Sequence, residues 1–174
     1  MGILNRIIGM LGLQRRVEPA VKQAALQQPV VKVYGTHGRL EIPSLFISVP
    51  LYDSRGADNQ RVVDNPNSAA YMHWQKQDAI ADHASQASFS NLNMVKPGKT
   101  VATIDLRNRQ EKYLCVNSQI GHIRLSPNGN RIFDANWNSA NFQNEGGLCI
   151  YTCIQRSAED VMDVRLTYWQ QIQE

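Results

Sequence analysis

The stretch Gly147-Leu-Cys-Ile-Tyr-Thr-Cys153, followed by the turn-like Gln155-Arg-Ser-Ala-Glu-Asp160 and then Val161-Met-Asp-Val-Arg-Leu-Thr-Tyr-Trp169, decides the fold. Successive side chains of a strand point to opposite faces. Cys149, Tyr151 and Cys153 therefore share one face, and Leu148, Ile150 and Thr152 the other. In the second run Asp163, Arg165, Thr167 and Trp169 alternate with Val164, Leu166 and Tyr168. An antiparallel hairpin centred near residue 159 sets Cys153 opposite Arg165, with Cβ atoms about 5 Å apart.

The rest of the chain continues this pattern. Strands are predicted over 39–42, 45–52, 77–83, 100–106, 111–119, 147–153 and 162–170. Gly56, Asn65-Pro66, Pro97-Gly98 and Pro127-Asn128-Gly129 mark turns between them. One short helix is expected over Phe89–Val95, capped by the hydroxyl of Ser88 or Ser90. Residues 122–146 are Asn-rich and lack periodicity, which reads as a long functional loop. Many short strands with few helices favour a mainly β fold, a closed or nearly closed barrel.

The chain has 174 residues, 43% of them hydrophobic, with 18 Lys or Arg against 15 Asp or Glu. That length suits one compact domain with a full core. Three cysteines are too few for a disulfide framework. The charge is uneven: residues 1–39 hold six basic residues against Glu18, and residues 40–174 are net acidic. A nucleic-acid-binding domain would carry its positive charge on the folded body, so nucleic acid is not the expected partner. Residues 1–36 read as a basic leader and tether, and 37–174 as the domain. Ile3, Leu4, Ile7, Ile8 and Leu11 recur at helical spacing. Residues 3–13 therefore read as an amphipathic helix resting on a membrane surface, as one packed on the domain, or as a frayed terminus.

Cys153 stands at a strand end, where a thiol is half exposed and can act as a nucleophile. Cys149 lies four strand steps away, about 13 Å, too far for both to ligate one zinc; no metal is expected. Four histidines could carry the proton: His37, His73, His83 and His122. His83 closes the apolar Asp78-Ala-Ile-Ala-Asp-His83 on the face of Ala79 and Ala81, two small residues that leave room for a substrate. Asp82 points to the other face. Arg165 beside Cys153 would lower the thiol's pKa and donate to an oxyanion.

The order and context of these segments resemble the sortase family, the cysteine transpeptidases of bacterial surfaces. The resemblance spans about Arg39 to Gln170. Leu-Glu-Ile-Pro43 and Ile-Ser-Val-Pro50 are similar to the family's opening strands. Ile80-Ala-Asp-His83, Phe89-Ser-Asn-Leu92 and Val95-Lys-Pro-Gly98 look like its histidine strand, short helix and following turn. Thr152-Cys153 matches the end of its Thr-Leu-x-Thr-Cys signature, and Val164-Arg165 sits where the family keeps an arginine. Three departures stand out. Asp82 replaces the glycine before the histidine, Cys149-Ile150 replaces Thr-Leu, and no membrane-spanning anchor precedes the domain.

The resemblance implies an eight-stranded barrel and transpeptidation without a cofactor. Cys153 attacks a backbone carbonyl near a C-terminal sorting signal, His83 shuttles the proton, and Arg165 holds the oxyanion. The acyl group passes to an amine or to water. Thr152, Trp137 and Phe142 are the implied substrate contacts, with the 122–146 loop as groove wall. Trp137 and Phe142 read equally as anchors of that loop. Asp134 and Glu145 are thin grounds for calcium. A bacterial surface or membrane-associated location follows from the family, and a cytoplasmic one from the lack of an anchor. Two rivals remain: a catalytically silent barrel module, with Asp82 a mark of drift, and a plain thiol hydrolase in which His122 serves Cys153. Cys115 reads as a strand residue that could pair with Cys149 under oxidising conditions.

Overall fold

A computed structural model describes residues 36–54, 58–74, 77–106, 109–126, 131–139 and 147–173. The leader reading, including residues 3–13, lies outside them. Strands β1 (Thr36–Ile42), β2 (Ile47–Ser54), β3 (Ala69–Trp74), β4 (Gln77–Asp82) and β5 (Val101–Leu106) come first. They are followed by β6 (Arg109–Arg124), β7 (Arg131–Phe133), β8 (Leu148–Ala158) and β9 (Val161–Ile172). Helix α1 covers Asp58–Val63, and 3-10 turns cover Pro43–Leu45 and Phe89–Met94. Among the described residues no helix is long and apolar enough to cross a membrane.

The strands run in the order β5-β1-β2-β3-β4-β8-β9-β6, and pairing of β5 with β6 closes an eight-stranded barrel. The mainly β barrel expected from the sequence is the architecture present. β7 hangs outside the ring on the far end of β6, where Ile123 faces Ile132. Two pairings are parallel, β2 with β3 and β4 with β8.

Alternation along the strands sorts the apolar residues into two clusters. The barrel interior draws on all eight ring strands, with Leu40, Val49, Tyr71, Ile80, Ile104, Cys115, Leu148, Ile150 and Trp169 among its members. Phe89 and Leu92 of the second 3-10 turn plug one end. Trp169 is fully buried and satisfied, its indole N–H donating to Thr167 Oγ1 at 2.8 Å. The second cluster lies on the outer face of β3, β4, β8, β9 and β6, with Met72, Ala79, Ala81, Cys149, Val164, Leu166 and Tyr168. Val63 of α1 and Ile132 of β7 cover it. Both faces of β8 are thus occupied.

Several expectations need correction. Residues 122–124 belong to β6 and 131–133 form β7, so 122–146 is not one uninterrupted loop. β6 has 16 residues because one edge pairs with β9 from Lys112 to Arg124, while the other takes β5 at its start and β7 at its end. β3 escaped prediction because Ala-Ala-Tyr-Met-His-Trp lacks branched residues. The helix at Phe89 is 3-10 in type; Ser88 precedes it with φ 64° and makes no side-chain cap bond. Its first turn is closed by backbone bonds instead, such as Phe89 N–H to Gln86 O at 2.9 Å.

Candidate active site

β4 ends at Asp82 and runs parallel to β8, with Ala81 beside Tyr151 and Asp82 beside Thr152. Carrying that register one residue on sets His83 abreast of Cys153, at the roughly 4.8 Å spacing of neighbouring strands. Cys153 packs on the outer cluster after Cys149, and the alternation that puts Ala79 and Ala81 in that cluster directs His83 to the same face. Ala79 and Ala81 are buried and pave the floor under the outer cluster. Tyr151, Met162 and the half-buried Cys153 all pack against that cluster.

Arg165 does not join them. The register pairs Arg165 with Thr152, and Cys153 with Val164. The reason lies in an irregularity on β8. Near the turn Gln155 faces Asp163, the register expected from the sequence, but a shift between Cys153 and Gln155 slips the pairing by one. A one-residue slip sends every later side chain to the opposite face. The Arg165 side chain therefore emerges on the inner face at the barrel rim, where its Nε donates to Asn93 Oδ1 at 3.1 Å.

Thr152 also faces inward. It is buried, and its hydroxyl donates to Asp82 O at 2.8 Å, tying β8 to β4. Trp137 is 44% exposed but stacks on His122 with ring centroids 4.3 Å apart. Arg124 lies over the same indole, so the loop-anchor reading of Trp137 has a physical basis. His122 Nδ1 bonds Asp163 at 2.9 Å, and that pair sits on the opposite side of the β6–β9 seam from Val164 and Cys153. His122 is therefore turned away from the thiol. Phe142 and Glu145 lie outside the described residues, as do the side chains of His37 and His73. Asp134 accepts from the backbone N–H groups of Asn136 and Asn138 and from the Asn138 amide, which shapes its own turn.

Burial pushes the Cys153 thiol pKa up from its ordinary value. Cys149 is raised by complete burial. Cys115, deep inside the barrel, is pushed up to about 11, with its thiol directed at Asn117 O. Cys115 belongs to the inner cluster and Cys149 to the outer one, so the sheet separates that suggested disulfide pair.

The sequence reading missed Asp64. It follows α1, and its Oδ1 lies 2.9 Å from His83 Nε2. The Gln60 amide donates to the same oxygen at 2.7 Å. Nothing in the local pattern around Asp64 marks it, because the contact spans 19 positions and needs β3 and β4 in place. Asp82, by contrast, faces inward; its Oδ1 accepts from the His83 backbone N–H at 2.7 Å and its Oδ2 is buried without a partner.

No protein-family model matches the chain, and no curated protein matches it in sequence. Solved structures do match in fold. Sortase C1 of Streptococcus suis superposes with a TM-score of 0.53 at 12% identity, over 89% of this chain and 80% of that one. Sortase C-1 of Actinomyces oris gives 0.51 at 16% identity over 88% and 82%. Clostridium perfringens sortase C, solved with the C-terminal cell wall sorting motif, gives 0.51 at 12% over 80% and 71%. The eight-stranded ring with its thiol and imidazole strand ends is a sortase-like fold.

Proposed function

We propose that this protein is a sortase-like cysteine transpeptidase with Cys153 as nucleophile and His83 as proton carrier. The observation that supports the reading is the parallel β4–β8 seam, whose register ends at Asp82 beside Thr152, one residue before His83 and Cys153, on a sortase-like barrel. In the reaction the thiol proton passes to the imidazole and the thiolate adds to a peptide carbonyl. The protonated His83 then gives its proton to the departing amine as the thioester forms. An incoming amine loses a proton to His83 and takes the acyl group; water in its place gives hydrolysis. The substrate proposed is a peptide with a C-terminal sorting signal, and the acceptor a primary amine at a bacterial surface. Arg165 has no contact with the thiol in this scheme; its role is at the rim, on Asn93.

Incubation with a peptide library plus amine acceptors, with products read by mass, tests this. Amide-exchange products that vanish with Cys153→Ala, and fall by roughly 10²–10⁴ with His83→Ala, are expected. A second reading, a barrel module without catalysis, draws on one specific observation: Arg165 pairs with Thr152 rather than Cys153, while burial raises the thiol's pKa. Absence of any product across the library, with Cys153 no more reactive than a thiol lacking His83, would establish that reading instead.

A further inference from the structure

We infer that Asp64 is a positioning residue for His83, so that the reacting group is a Cys153–His83–Asp64 relay rather than a Cys–His–Arg one; this rests on the function proposed above. The Asp64 carboxylate is fixed before any substrate arrives. Its own N–H bonds Gln60 O at 2.9 Å, and the Gln60 side chain holds Oδ1. Ser68 Oγ donates to Val62 O at 2.7 Å and to Asn65 O at 2.9 Å, closing the turn that carries it. Val62 is fully buried and Val63 packs on the outer cluster, which seats α1 on the same face as Cys153.

The contact chooses a ring nitrogen. With Nε2 donating to Asp64, Nδ1 is the nitrogen left to accept the Cys153 proton. The Sγ–H bond breaks, the Nδ1–H bond forms, and the proton on Nε2 stays where it is. The carboxylate is not protonated; it faces the imidazolium that results. That imidazolium is then the cation the thiolate lacks, since Arg165 lies across the sheet. The titratable groups around the ring are Asp64 from the α1 turn, Cys153 from β8 and Asp82 of β4, whose Oδ1 accepts from the His83 backbone N–H and whose carboxyl the imidazole draws down. As a stability element the exposed His83–Asp64 pair is worth little, with side chains 35% and 40% accessible.

The test is the rate of Cys153 alkylation by iodoacetamide against pH, with amine transfer measured in parallel. The wild type, Asp64→Ala, Asp64→Asn, His83→Ala and Arg165→Ala are compared, with thermal melting to confirm an intact barrel. The thiolate displaces iodide and the proton passes through His83 to water. Asp64→Ala is expected to lower the rate near pH 7 at least about tenfold and to leave the single pH rise of an isolated thiol. Asp64→Asn keeps an oxygen for the ring but no charge, and falls between. An Asp64→Ala profile identical to wild type, beside a collapsed His83→Ala profile, overturns the role of Asp64 alone. If His83→Ala also matches wild type, the proposed function itself fails.

Discussion

Asp82 is one residue from the imidazole and yet belongs to the barrel interior. Burial lifts its pKa from 3.8 to about 7, while the His83 N–H and the nearby imidazole pull the other way. The folded value lies above the unfolded one, so its contribution is fully present below about pH 4 and is lost as pH rises through 7. Asp82→Asn should therefore melt higher than wild type at pH 8, by about 2–4 kcal/mol, with the gap narrowing toward pH 4. Melting temperature against pH decides it; a constant gap would refute the assignment. The three thiols differ just as sharply. In the native state Cys153 should alkylate alone, with Cys115 and Cys149 reacting only on unfolding, because both are fully buried. Peptide mapping after limited iodoacetamide treatment reads the order. Arg165→Ala should leave the Cys153 rate within about twofold, since the guanidinium is across the sheet from the sulfur; a drop of tenfold or more would restore it to the site.

At the scale of elements, alternation along β8 and β9 was legible from residue types alone, because both faces of each strand carry distinct chemistry. Leu148 and Ile150 went inward and Cys149 outward as the pattern required. What could not be read was the irregularity at Ile154. A bulge depends on how a hairpin leaves its turn, and no residue type in Cys-Ile-Gln-Arg announces it. That single extra residue separates Cys153 from Arg165. The Asp64 contact was hidden for another reason: it needs the helix after β2, whose packing on the outer face appears only once the sheet is assembled. β7 depends on Gly121. A Cβ there would stand 2.4 Å from Leu166 Cδ1 and 2.5 Å from Phe133 O. Gly121→Ala should destabilise by about 1–3 kcal/mol and loosen β7, visible as a lower melting temperature and faster amide exchange at Ile123 and Ile132.

For the molecule as a whole, a closed or nearly closed barrel was legible from short strands and punctuation and its eight strands only from the family resemblance, and the ring survives at 12–16% identity to the sortase C structures. Interior volume explains this tolerance: cores accept many apolar substitutions when size and pattern are kept. Trp169 is the exception, filling the barrel with no exposure and a satisfied N–H. Trp169→Ala should cost about 3–5 kcal/mol, read as a large shift in denaturation midpoint.

The parallel β4–β8 seam joins Asp82 to Thr152 across 70 positions of chain. Contacts so distant in sequence form slowly, since a long loop must close first. A chain leaving the ribosome exposes β4 and His83 well before β8 exists, and no truncated product ending before β8 contains Cys153 at all. Synthesis itself thus delays the meeting of the two side chains until the barrel is nearly finished, and the joint chemistry proposed for them waits with it.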